Sequence, residues 1–111
     1  MEIAFRTKKL RKILNSQAAL RKSYGDKLAR SLMIRLAVLR NAETLSLVPA
    51  SRPERRHLLK GKRRGQFAVD LDRSFRLIFE PNHDPVPQSE DGGIDLERVT
   101  AITVIEVADY H

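Results

Sequence analysis

The side chains of this chain that can move protons or hold phosphate are three histidines and twenty-one lysines and arginines. They are unevenly spread. The stretch Arg55-Arg56-His57-Leu58-Leu59-Lys60-Gly61-Lys62-Arg63-Arg64-Gly65-Gln66-Phe67 holds six of the twenty-one cations and one histidine. An imidazole exchanges protons near neutral pH, so a histidine here can act as acid or base. Guanidinium and ammonium groups around it can bind a phosphate and stabilise the charge that grows in a phosphoryl transition state. That combination suits RNA cleavage without a metal. A basic surface loop ahead of a strand has the same composition, so the stretch alone leaves both readings open.

Two further positions bear on the choice. Arg76 lies between Phe75 and Leu77 in an alternating run. Alternation puts Phe75, Leu77 and Phe79 on one face of a strand and Arg76 on the other. An arginine fixed there can meet a phosphate, or can be held in a cross-strand ion pair with Glu106 or Asp70. The other position is Asp109-Tyr110-His111, which supplies a carboxylate, a ring able to stack on a base, and a second imidazole. It follows directly on the most apolar strand pattern in the chain.

Other chemistries are poorly supplied. The chain has no cysteine, so thiolate ligands and disulfides are absent. His57, His83 and His111 share no ligand spacing. Asp84, Glu90, Asp91 and Asp95 lack the register of a calcium loop. No GxxxxGKS-type phosphate loop is present. Aromatic residues are 5% of the chain, too few for a broad base-stacking platform.

The net charge is +7. Residues 1–64 carry +14 and residues 65–111 carry −7. A basic half joined to an acidic half suggests one surface facing a polyanion, nucleic acid being the obvious one, and a second surface with another task. The length of 111 residues fits one domain, 1–111, able to bury a core without disulfides. No apolar run reaches the length of a membrane span, and Met1 to Lys12 lacks the apolar segment of a secretory signal, so a cytoplasmic protein without a membrane role is expected.

The elements that must position these groups are legible in outline. Ile3-Ala4-Phe5 reads as a first strand and Thr7 as a helix N-cap. Leu10, Ile13, Leu14 and Ala18 recur at helical spacing, predicting a helix to about Tyr24, ended by Gly25. Asp26 would cap a second helix over about 27–40. Its stripe of Leu28, Leu32, Leu36 and Leu39, widened by Met33, Ile34, Ala37 and Val38, predicts burial on more than one side. Residues 41–45 could add a further turn. Beyond the 49–53 connector the period changes to two. Phe67, Val69 and Leu71, then Phe75, Leu77 and Phe79, predict a hairpin about Asp72-Arg73-Ser74. Pro81 to Gly93 reads as a long exposed loop, and Ala101 to Val107 as a central strand. The expected architecture is α+β, with two N-terminal helices on one face of a small, mainly antiparallel sheet.

In this order the residues resemble a family. His57-Leu58-Leu59-Lys60-Gly61, Arg63-x-Gly65-Gln66-Phe67, Phe75-Arg76-Leu77-Ile78-Phe79 and Glu106-Val107-x-Asp109-Tyr110-His111 resemble the HigB toxins of the RelE/ParE superfamily. There the pattern reads His-x-Leu-Lys-Gly, a basic turn, Gly-x-Trp, a hairpin with aromatic-Arg-Ile, and Asp-Tyr-His. Phe67 and Phe75 stand where the family usually has tryptophan. Lys62-Arg63-Arg64 is a more basic turn than usual, and the 81–98 loop is longer and more acidic. The resemblance implies a RelE/ParE-like β-α-α-β-β-β fold and a bacterial type II toxin that cuts translated mRNA on the ribosome without a metal or other cofactor. It implies a helix-turn-helix, HigA-type antitoxin as partner, and operator DNA reached only through that antitoxin. Carried over by position, His57, Lys60, Arg76, Asp109, Tyr110 and His111 form the expected catalytic set. Arg55, Arg56, Lys62, Arg63 and Arg64 would contact RNA or the ribosome, Arg63 also matching a basic position of the family pattern. The alternatives are a ParE-type gyrase inhibitor on the same fold and a non-enzymatic basic module that binds RNA or protein.

Overall fold

A computed structural model describes residues 1–110. In these residues five strands form one mixed sheet in the order β1-β5-β4-β3-β2. They are β1 Glu2–Phe5, β2 His57–Leu58, β3 Phe67–Asp70, β4 Phe75–Pro81 and β5 Ala101–Asp109. β1 runs parallel to β5, and the other neighbours are antiparallel. Two helices, α1 Lys8–Leu14 and α2 Gln17–Asn41, complete the expected α+β arrangement.

The main core lies between the helices and one sheet face. Leu20, Leu28, Leu32, Leu36 and Leu39 of α2 meet Phe67, Val69, Leu77, Phe79, Ile102 and Val104 of the sheet. Phe67 and Phe79 stack with centroids 5.9 Å apart. Each large apolar side chain buried in this way contributes about 1.5–3 kcal/mol relative to exposure. The second face carries a smaller cluster, in which Leu59 covers Ala68, Ile78, Ile105 and Ala108. A register shift between Ile78 and Phe79 leaves Ile105 as the extra residue of β5, opposite no partner on β4. It drops into this second cluster.

The helices differ from the sequence expectation in two ways. α1 stops at Leu14 instead of running to Tyr24. Ser16 is extended (φ −126°, ψ 121°), and its hydroxyl accepts from the Ala19 amide at 3.2 Å, starting a new helix. A serine side chain that satisfies a free amide in this way competes with helix continuation. Gly25, expected to end the helix, breaks its regularity at φ 79°, ψ 167°. One helical stretch ends there, as expected, and a second starts directly after it, the two meeting at a kink within α2. Second, α2 is not buried on more than one side: Ile34 is 49% exposed and Ala37 is exposed. The leucine stripe faces the core together with Ala29, and Met33 and Val38 pack at its edge.

The loop after β4 is mostly exposed over 82–93, as expected, and has order of its own. It is held by a bridge between Gln88 and Ile94, and by the Ser89 amide donating to the Gly93 carbonyl. A 3-10 turn, Leu96–Arg98, is capped by Asp95. Ile94 and Leu96 pack on the core and Val99 is fully buried. Its acids stay outside, Asp84, Glu90, Asp91 and Glu97 being exposed. The apolar residues between the acids, weak as a periodic pattern, are what tie the segment down.

Candidate active site

Directly paired residues of neighbouring strands point to the same sheet face. The register therefore assembles two rows on the face away from the helices. One runs His57, Ala68, Ile78, Glu106 across β2, β3, β4 and β5. The next runs Asp70, Arg76, Ala108. Tyr110 follows two residues after Ala108, and its amide donates to the Ser74 carbonyl at 3.0 Å. Its ring lies 4.5 Å from the Arg76 guanidinium carbon, a cation–π distance. The apolar cluster of Ala68, Ile78, Ile105 and Ala108 is the floor beneath these groups.

Asp70 is the electrostatic centre of the face. Its carboxylate accepts from Arg55 Nε at 2.7 Å and from an Arg55 terminal nitrogen at 3.0 Å. The same carboxylate lies 3.6 Å from Arg76 Nε. The first is a two-point, charge-assisted hydrogen bond; the second, beyond hydrogen-bond distance, is an ion pair only. Partial burial acts to raise the Asp70 pKa. The Arg55 hydrogen bond and the charges of Arg55, Arg76 and His57 outweigh it, holding the carboxyl below its usual range. In turn, donating to Asp70 raises the Arg55 guanidinium pKa above its ordinary value.

His57 is oriented by its neighbour's backbone. Its Nδ1 lies 2.7 Å from the Arg55 carbonyl oxygen. A carbonyl can only accept, so Nδ1 carries the hydrogen and, in the neutral ring, Nε2 holds the free lone pair. The Arg55 backbone has φ 46°, unfavourable for a residue with a Cβ. The two-point grip of Asp70 holds it there.

The basic turn is pinned from the other side. In the 3-10 turn Gly61–Arg63, Arg63 donates to Gln66 at 3.1 Å and to Glu106 at 2.8 Å. Lys60 stands at the start of this turn, exposed, with Lys62 and Arg64 exposed beside it. Arg56 is directed elsewhere: its Nε donates to the Val48 carbonyl at 2.9 Å, and partial burial lowers its pKa, although an arginine remains charged. Asp109 accepts from the Ser74 hydroxyl at 2.6 Å. His111 lies outside the described residues. The structure thus brings His57, Arg76 and Tyr110 to one face with Asp70, Glu106, Arg55 and Arg63, while Arg56 is turned to a backbone carbonyl.

Sequence reasoning did not find Arg35. From α2 it donates through Nε to the backbone carbonyl of Asp70, the last residue of β3, at 2.8 Å. The available signal was a lone arginine beside the leucine stripe, between Leu32 and Leu36. Asp70 and Glu106 appeared only as possible ion-pair partners of Arg76; Asp70 takes that part and Glu106 pairs with Arg63. Among the described residues, no three His, Asp or Glu side chains gather as a metal ligand set, and no helix is long and apolar enough to cross a membrane.

A two-helix layer over a five-stranded mixed sheet, with a basic, partly apolar open face, defines a small α+β architecture. Its fold is similar to that of a solved YoeB/ParE toxin from Agrobacterium tumefaciens, with a TM-score of 0.55 over the whole of both chains at 15% identity. No family model and no curated protein matches the sequence. The likeness is one of fold.

Proposed function

We propose that this chain is the toxin of a type II toxin–antitoxin system and a HigB-type, ribosome-dependent mRNA endonuclease. The supporting observation is the shared face: His57 with Nδ1 engaged, Arg76 on β4, and Tyr110 stacked on Arg76. The likeness to a YoeB/ParE toxin supports the toxin class through the fold, and the HigB-like residue pattern supports the finer assignment.

In this reading the 2′-hydroxyl of the RNA attacks the adjacent phosphorus and the 5′-oxygen leaves. One group must take the 2′ proton and another must protonate the leaving oxygen. His57, with its Nε2 facing the substrate, and His111 share these transfers. Arg76 and Lys60 hold the phosphate and offset the charge that develops on it. Tyr110 stacks on or orients a base, and Asp109 orients the last residues of the site. Lys62 and Arg64 contact ribosomal RNA, with Arg55, Arg56 and Arg63 shaping the surface between them. The partner would be a HigA-type antitoxin, and operator DNA would be reached only through it.

The test is to map mRNA 5′ ends on translating ribosomes for the wild type, for H57A and for a variant lacking Tyr110 and His111. Cleavage by the wild type alone is the expected result. Persistence of cleavage in both variants would remove the site assignment. Growth arrest without cleavage, accompanied by DNA damage signalling, would favour a ParE-type gyrase inhibitor instead.

A further inference from the structure

Asp70 and Arg55 carry more structure than a surface ion pair requires. The Asp70 carboxylate grips Arg55 at two points and lies beside Arg76. Its backbone is held as well, the amide donating to the Glu54 carbonyl at 2.8 Å and the carbonyl accepting from Arg35 at 2.8 Å. Arg55, in a positive-φ conformation that its side chain disfavours, offers its carbonyl to His57 Nδ1. One carboxylate is thereby linked to two of the groups with a role in the chemistry, His57 and Arg76. The route to His57 runs through the Arg55 side chain and backbone; the route to Arg76 is direct.

We propose that Asp70 and Arg55 are a positioning pair, which fixes the His57 ring with Nε2 toward the substrate and aims the Arg76 guanidinium at the scissile phosphate. The proposal rests on the nuclease reading above for its catalytic part. Neither residue touches the reacting atoms. Arg55 is consumed by Asp70 and is not an RNA-docking cation. Arg76, 3.6 Å from the same carboxylate, is oriented without giving up its hydrogen-bond donors, and Tyr110 covers its other side. Misplacing a reacting group by about 1 Å can lower a rate roughly a hundredfold, so the pair controls turnover more than affinity.

The experiment compares wild type, D70N, D70E, R55K and R76A, alone and in the D70N/R76A combination. Single-turnover cleavage is measured on programmed ribosomes, and the folded state is followed by thermal melting. NMR of the free protein reads the His57 ring nitrogens, assigned by their loss in H57Q, and the Tyr110 ring protons. The expected result is a roughly ten- to hundredfold fall in rate for D70N and R55K with substrate affinity little changed. D70E should recover part of the loss. D70N should cost much less in the R76A background than in the wild type, since residues acting through one another are not additive. In D70N the His57 signals should move from the Nδ1–H tautomer to a mixture, and the Tyr110 ring should shift as Arg76 leaves it. A D70N protein that cleaves at the wild-type rate, or whose effect simply adds to that of R76A, overturns the proposal. If the wild type does not cleave at all, the nuclease reading fails. The NMR arm then still decides whether Asp70 sets the His57 tautomer and the Arg76 stack, and unchanged spectra in D70N reject the pair. Should D70N fail to fold, R55K and D70E carry the same comparison.

Discussion

His57 illustrates how far a single residue's chemistry depends on one hydrogen bond. With Nδ1 donating to the Arg55 carbonyl, the ring presents Nε2 and cannot turn over without losing that partner. H57A should lower cleavage about 10²- to 10⁴-fold, the usual range for a lost acid or base, with a melting midpoint near that of the wild type because the ring is only half buried. Asp70 leads to a pH prediction. Its folded pKa is depressed, so the native state binds this proton less readily than the unfolded chain. The resulting stabilisation is present above the ordinary carboxylate range and is lost as the pH falls through the depressed value. Urea unfolding across that acid range should show wild-type stability falling relative to D70N. Parallel curves for the two proteins would argue that Arg55 and Arg76 do not hold this carboxylate.

At the scale of elements, the helical layer depends on two local devices. The Ser16 hydroxyl starts α2 by accepting from Ala19, and S16A should cost about 0.5–2 kcal/mol in chemical denaturation. Gly25 bends α2 at φ 79°, and a Cβ at this position would meet no atom within 4 Å. G25A should therefore destabilise through backbone conformation alone, by about 1–3 kcal/mol. A neutral or stabilising G25A would mean that α2 straightens without penalty. The β3–β4 hairpin is the corresponding device for the site. Its register sets Asp70 opposite Arg76 and Ala68 opposite Ile78, and a slip of one residue would carry Arg76 into the leucine core.

Over the whole molecule, charge and apolar burial are segregated. The helices present lysines and arginines outward, while the segment between β4 and β5 exposes its acids. Lys62 and Arg64 are exposed cations in the basic turn beside the proposed site. The double charge reversal K62E/R64E should weaken ribosome association and flatten its salt dependence, because fewer counterions are released on binding. Single-turnover cleavage at saturating ribosome should change much less. An unchanged salt slope would place the docking surface elsewhere, for instance on the basic outer face of α1.

Much of this protein is determined by sequence alone. The change of apolar period from helical to alternating, the Thr7 cap and the hairpin turn follow from local preferences that need no tertiary partner. So does the placement of Arg76 opposite Phe75, Leu77 and Phe79, because strand alternation is a property of the backbone itself. Tertiary structure decided what distance along the chain conceals. Ser16 adds a helix break ahead of the one at Gly25, since a side-chain cap and a helical continuation compete on a margin that periodicity does not register. Asp70 is tied to both Arg55 and Arg76, and Glu106 to Arg63, because strand pairing brings together residues up to forty-three positions apart. The 81–98 segment is anchored by Ile94 and Leu96, and by Val99 just beyond it, whose burial is fixed by the core they meet and not by their own spacing.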